Sequence, residues 1–187
     1  MSDKKDRIID TAITLFANEG VGVATAKIAK EAGVSNGTLF NYFATKQILI
    51  DSVYLEIKRE VAAGMLETST EAKNAKELFW MFWTGYVSWG AKNTMRHSVL
   101  DLLKSSRHLS EEIESEVEKM FAPALAAVQD ALQKHDLKDV TMEYLMEVTG
   151  AQMSAAINYA EQHKLSDTKL EEHIQNSFDV YWSGIKA

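Results

Sequence analysis

The chain has 187 residues, no cysteine, a single proline and a formal net charge of −7. That length allows one or two domains with a sizeable core, while the lack of cysteine excludes disulfides, thiolate metal sites and cysteine nucleophiles. The acidic balance argues against strong non-specific attraction to nucleic acid, but it is uneven: residues 1 to 46 hold six Lys/Arg against five acids, which leaves −8 on residues 47 to 187.

Strand-like alternation with paired turn signals is absent, so the chain reads as all-α. Asn36-Gly37 is a hairpin-type dipeptide, but its flanks lack alternating apolar residues. A first helix is predicted from about Lys4 to Glu19, with Ile8, Ile9, Ala12, Leu15 and Phe16 at helical spacing and Gly20 as its stop. Two short helices follow within residues 25 to 46. Ile28, Ala29 and Ala32 give the first one buried face, Gly33 ends it, and Val34 falls under the turn. Ser35 can cap the second helix, whose Leu39 and Phe43 share an inward face at i, i+4. Asn36, Thr38, Asn41 and Tyr42 are left pointing outward, the layout of a helix-turn-helix reader of DNA.

A fourth helix is predicted from about Lys46 to Glu67, burying Ile48, Leu49, Val53 and Ile57. Asn74 and Glu77 have capping-box spacing and open an aromatic helix to about Ala91, with a break at Asn93-Thr94. Further helices are expected over Met95 to Ser106, from Ser110 to about Lys134 with a kink at Pro123, over Val140 to His163, and over Asp167 to Ile185. No internal repeat or low-complexity segment is evident.

The stretch from Ile8 to Leu49 resembles the DNA-binding domain of TetR-family transcriptional regulators. The resemblance is carried by Ala12, Leu15-Phe16, Gly20, Thr25, Ile28-Ala29, Ala32-Gly33-Val34-Ser35, Gly37-Thr38-Leu39-Phe40, Tyr42-Phe43, Lys46 and Leu49, without a gap. It implies a helix-turn-helix domain over residues 1–46 and a larger helical effector-binding and dimerisation domain over 47–187. The family most often has tyrosine where this chain has Phe40, so a hydroxyl that commonly touches a phosphate is missing here.

Three groups of residues follow as candidates. In the reading helix Asn36, Thr38 and Asn41 can reach base edges, with Ser35 and Gly37 beside them in the DNA-binding set, and the absence of Lys or Arg between Val34 and Phe43 points to A·T rather than guanine readout. Phosphate contacts are expected from Thr25, Lys27, Tyr42 and Lys46. The second group lies around the stretch Phe79 to Trp89, dense enough in aromatics to be either packed core or the wall of a cavity. The resemblance implies a pocket for a small apolar effector. Trp83, Tyr86, Trp89, Met95 and Met120 are its expected wall, His97 a polar contact, and an organic cation would also suit aromatic faces in an acidic domain. The third group is Met146, Gly150, Met153, Ala156 and Ile157 with Ile174, Phe178, Tyr181 and Trp182, faces that could pair two chains in a four-helix bundle.

No histidine pair has i, i+3 or i+4 spacing, and no nucleophile elbow or phosphate-binding glycine loop occurs, so neither a metal, a cofactor nor an enzymatic role is expected. The run Glu111 to Glu118 reads as the solvated, dipole-favoured start of a helix. With no apolar leader and no membrane-length apolar stretch, a cytoplasmic location is expected. These readings converge on a homodimeric repressor that binds operator DNA and is released by a small molecule. The alternative is a regulator of the same fold controlled by a protein partner, with the aromatic stripe fully packed.

Overall fold

The computed structural model describes residues 4–66, 72–105 and 108–187. Among them the chain forms α1 Lys4–Glu19, α2 Thr25–Glu31, α3 Asn36–Tyr42, α4 Lys46–Leu66, α5 Ala75–Lys92, α6 Thr94–Ser105, α7 Glu111–Gln133, α8 Met142–Gln162 and α9 Asp167–Ile185. The all-α expectation holds, and no helix among the described residues is long and apolar enough to cross a membrane. The helix ends expected at Glu67 and Ser106 lie outside the described residues. The helices gather into two compact units, one of Met1–Arg59 with Met95–Lys119, the other of Glu60–Thr94 with Met120–Ala187. This packing division passes through α4 and α7 and differs in kind from a division by function at residue 46.

In the first unit α1 buries Ile8, Ile9, Ala12, Ile13, Leu15 and Phe16, one contiguous face of an amphipathic helix. The turn after α2 is a Schellman closure: Val34 N–H donates to the Ala29 carbonyl (2.9 Å) and Gly33 N–H to that of Lys30 (3.1 Å). Gly33 supplies the left-handed residue this closure requires, at φ +68°. Thr45 Oγ1 accepts from Ile48 N–H (3.1 Å) and caps the start of α4. Leu49, Ile50, Val53 and Ile57 are buried along α4, whereas Ile48 is 44% exposed. Ile48 was expected inside; with Ile50 also buried, the inward face rotates and leaves Ile48 opposite its centre.

Two ion pairs and one backbone hydrogen bond to a carboxylate tie this unit's helices. Arg96 of α6 pairs with Asp10 of α1, Arg59 of α4 with Glu116 of α7, and Asp51 of α4 accepts from Ser110 N–H at the start of α7. Ser110 Oγ in turn accepts from Ile113 N–H, the cap expected there. Farther along α4, Lys58 lies over the Tyr54 ring at 5.6 Å. Burial, and then the positive charge of Lys104, lower Lys58 to about 8 against the opposing pull of Asp101. Burial, with Glu114 adding to it, pushes Tyr54 up to about 12.

The second unit is built on α5, α8 and α9. Phe79, Phe82, Trp83 and Val87 of α5 share a core with Leu145, Met153 and Ile157 of α8 and with Ile174, Phe178 and Tyr181 of α9. Trp83 stacks on Tyr181 (centroids 4.8 Å, 22°) and meets Phe178 edge-on at 6.0 Å. The polar ends of these rings are satisfied inside: Trp83 Nε1 donates to Ser177 Oγ (3.2 Å), and the Tyr181 hydroxyl shares a hydrogen bond with Thr149 Oγ1 (2.7 Å). Burial raises the Tyr181 phenol above its usual range, opposed by the Thr149 bond.

Backbone approach is close at Gly85, where an added Cβ would stand 2.6 Å from the Gly64 carbonyl oxygen. The α5 cap differs in one detail from the expected box: Asn74 Oδ1 accepts from Glu77 N–H (2.9 Å), but Glu77 reaches back to Lys73 N–H (2.9 Å). Pro123 lies within α7 and does not end it.

The lowered Lys58 makes stability pH-dependent. Between pH 8 and 10.5 the unfolded chain keeps this proton and the folded chain has lost it, so stability rises with pH across that window. Above pH 10 the raised Tyr54 works in the opposite sense, because the folded chain then holds the extra proton. Melting temperatures recorded from pH 8 to 10 should therefore rise for the wild type, and Lys58→Met should remove this rise.

A candidate nucleic-acid interface and the effector unit

The helix expected to read DNA is α3, only seven residues long. Its N-cap is Ser35, in extended backbone, whose Oγ accepts from Thr38 N–H (3.0 Å) and shares a second bond with Thr38 Oγ1 (2.8 Å). Leu39 and Phe43 are fully buried, as their spacing requires. Asn36, Gly37, Phe40, Asn41 and Tyr42 are exposed and Thr38 is half-buried. The sequence expectation of one apolar and one polar face is thus met. The Thr38 hydroxyl is engaged at the helix start, which leaves Asn36 and Asn41 as the amides of the outer face.

The expected phosphate contacts flank this helix. Tyr42 is exposed on α3 itself, Lys46 opens α4 half-buried, and Thr25 is the first residue of α2, behind an Ala24 that makes no side-chain cap. Lys27 is exposed but engaged: its ammonium bonds Glu19 and lies 3.9 Å from Glu31. The hydrogen bond to Glu19 raises Lys27 above its ordinary range, so it stays charged while sharing that charge with two carboxylates. Ser35, Asn36, Gly37, Thr38, Asn41, Tyr42, Thr25, Lys27 and Lys46 all belong to the first unit.

The six residues expected to line an effector site divide between the units. Trp83, Tyr86, Trp89 and Met120 are in the second, Met95 and His97 in the first. Trp83 is 1% exposed and enclosed by Phe178 and Tyr181. Tyr86 and Trp89 stack on each other (5.8 Å, 28°) and are half-buried, as is Met120. Met95 is exposed. His97 is buried, its Nε2 3.7 Å from Asp101 Oδ2.

The residues expected to join two chains are placed differently. Met153, Ala156, Ile157, Ile174, Phe178 and Tyr181 are buried within the single chain; Gly150 and Trp182 are half-buried, and Met146 is exposed. The reason is that α5 occupies the inward faces of both helices. What the sequence reading missed is the outward surface of α8 and α9. Tyr144, Met146 and Tyr159 of α8 and Val180 of α9 are exposed there, and Tyr159 meets His163 at a tilt (4.1 Å) and stacks on His173 (4.9 Å). Val180, 72% exposed, was detectable as an apolar residue off the buried stripe.

Residues 8–53 match the family described as bacterial regulatory proteins, tetR family. The match spans α1, the helix pair and the first turns of α4. Over those residues the chain is similar to the DNA-binding part of that family. A wider likeness is found to the fatty acid metabolism regulator protein of Bacillus subtilis, 28% identical over 137 residues, 71% of this chain and 70% of that one. In fold, the chain is similar to a TetR family transcription regulator from Marinobacter aquaeolei, with a TM-score of 0.88 at 22% identity over 98% of this chain and 95% of the other. It also resembles FadR of Bacillus subtilis, solved in complex with stearoyl-CoA, with a TM-score of 0.74 at 22% identity over 96% and 98%.

The Ser35 bond is the element of this site most open to a direct stability test. Ser35→Ala leaves Thr38 N–H without its acceptor and should cost about 1 kcal/mol in urea unfolding. Ser35→Asn, which can accept in the same place, should recover most of the loss.

Proposed function

We infer that this protein is a homodimeric TetR-family repressor of the cytoplasm that reads operator DNA with α3 and leaves it when a fatty acyl effector binds the second unit. The observation that carries the reading is the division of α3. Leu39 and Phe43 hold the helix down while Asn36 and Asn41 present amides outward, and an asparagine amide can bond adenine N6 and N7 together. With no Lys or Arg on α3, phosphate anchoring falls to Thr25, Lys27, Tyr42 and Lys46. A single near-neutral head binds weakly, so two copies at the ~34 Å spacing of successive major grooves are needed for useful affinity.

The outward surface of α8 and α9 is the proposed dimer face, since the inward faces are filled by α5. The acyl class of effector is supported by the likeness to the fatty acid metabolism regulator and to the protein solved with stearoyl-CoA. It is supported also by the apolar second unit, where Tyr86 packs against the filled core and stacks its half-buried ring on that of Trp89. The helix α4 begins beside the reading helix and contributes residues to both units, so an effector preferring one setting of α4 shifts the population of DNA-competent dimers. A preference of ~1.4 kcal/mol changes DNA affinity tenfold.

Fluorescence anisotropy on the DNA flanking the protein's own gene, at two salt concentrations, tests the reading. Asn41→Ala should weaken binding to that DNA and spare non-specific binding. Lys46→Ala should weaken all duplexes alike and lower the salt slope by about one phosphate contact. Stearoyl-CoA should release the DNA and coenzyme A alone should not; release by neither would favour control by a protein partner. Equal affinity for unrelated DNA would overturn sequence-specific regulation.

The dimer face has its own measurement. Val180→Glu places a charge on an exposed apolar site and should convert a dimer to a monomer in sedimentation velocity without changing the melting temperature of the fold. An unchanged dimer would move the interface elsewhere.

A further inference from the structure

Phe40 is 39% exposed, although it sits on the shortest helix class of the chain and immediately beside the amide expected to read bases. The two neighbours that complete its setting are one turn back and one residue on. Asn36 precedes it by four residues and so lies on the same strip of α3, and Asn41 follows it around the outer face. Leu39 and Phe43 occupy the inward side, so Phe40 contributes little to holding the helix down. An isolated exposed phenylalanine is ordinary on a protein surface. A phenylalanine between two groove-facing asparagines is different, because whatever those amides approach, the ring approaches too.

We propose that Phe40 is a specificity-determining residue that reads the C5-methyl group of thymine in the major groove. The proposal rests on α3 being the reading helix. A phenyl ring offers no donor or acceptor, so of the features on base edges only the thymine methyl complements it. This also fits the lack of Lys and Arg on α3: adenine is read by the asparagine amides, and its partner thymine, or a thymine on the next step, by apolar contact. The position then contributes sequence discrimination without salt dependence.

The test removes the methyl and nothing else. A preferred duplex is first obtained by selection from random DNA with the wild-type protein, and each thymine is then replaced singly by deoxyuridine. Affinities are measured for wild type, Phe40→Ala and Phe40→Tyr. One position per half-site should cost the wild type about fourfold, the worth of one buried methyl group. Phe40→Ala should bind the thymine duplex more weakly and show no penalty at that position, while Phe40→Tyr should retain the penalty. The melting temperature of Phe40→Ala should match the wild type, as expected for an exposed residue.

If deoxyuridine matters nowhere, or matters equally with Phe40→Ala, the proposal is overturned and the ring contacts sugar and phosphate instead. If selection enriches no sequence at all, the DNA-reading role of α3 falls first and this proposal with it.

Discussion

A seven-residue helix has no stability of its own in water, because nucleation fixes several residues before enough hydrogen bonds form to offset the cost. Everything α3 does therefore depends on the burial of Leu39 and Phe43. These two side chains leave no measurable surface to solvent beyond a trace, and they are bracketed by a hydroxyl cap at Ser35 and by the left-handed turn at Gly33. The inward pair fixes the rotation of the helix about its axis, and with it the direction of Asn36, Phe40 and Asn41. A reader held only by surface polar contacts would present its amides in many orientations and pay for each on binding. Here the orientation is settled when the domain folds.

The second unit answers the same problem on a larger scale. Its α5 is apolar around much of its circumference, and two neighbours, α8 and α9, give their inward faces to cover it. Such a core is costly to build from tryptophan and tyrosine unless their polar atoms find partners. Ser177 and Thr149 provide them, at Trp83 Nε1 and at the Tyr181 hydroxyl. The close Gly64–Gly85 approach belongs to the same packing: a side chain at Gly85 would run into the Gly64 backbone. Under the proposed function, a ligand entering this unit would have to work around a filled centre, and the half-buried Tyr86 and Trp89 are more open to it than the enclosed Trp83.

How far the sequence could be read follows from what periodicity measures. It located α1 and α9 to the residue, and it found Gly33, Ser35 and the Leu39–Phe43 pair, because caps and i, i+4 spacing are local properties. It misjudged Ile48, since one more apolar neighbour, Ile50, rotates the buried face of α4. It also expected the apolar faces of α8 and α9 to await a second chain. Periodicity shows that a face is buried and is silent about what buries it; only the tertiary structure shows α5 there. The exposed Val180 and Tyr159 carried a signal of the opposite kind, apolar residues out of phase with the stripe, which a search for stripes passes over. Nor could spacing reveal that Lys27 is shared with Glu19, a contact made across eight residues and a turn.

Charge places the last constraint on how such a molecule finds DNA. A chain of net charge −7 gains little from long-range attraction to a polyanion, and its N-terminal 46 residues carry only a slight positive excess. Two of the acids in that balance, Glu19 and Glu31, lie against Lys27, so the excess does not reside on its ammonium. Under the proposed function, weak non-specific binding is an advantage, because the free energy separating bound from released states would then lie in a few groove contacts and in the pairing of two heads. An effector that alters the separation of those heads acts on the larger part of that energy at once, and a modest preference for one arrangement is enough to empty the operator.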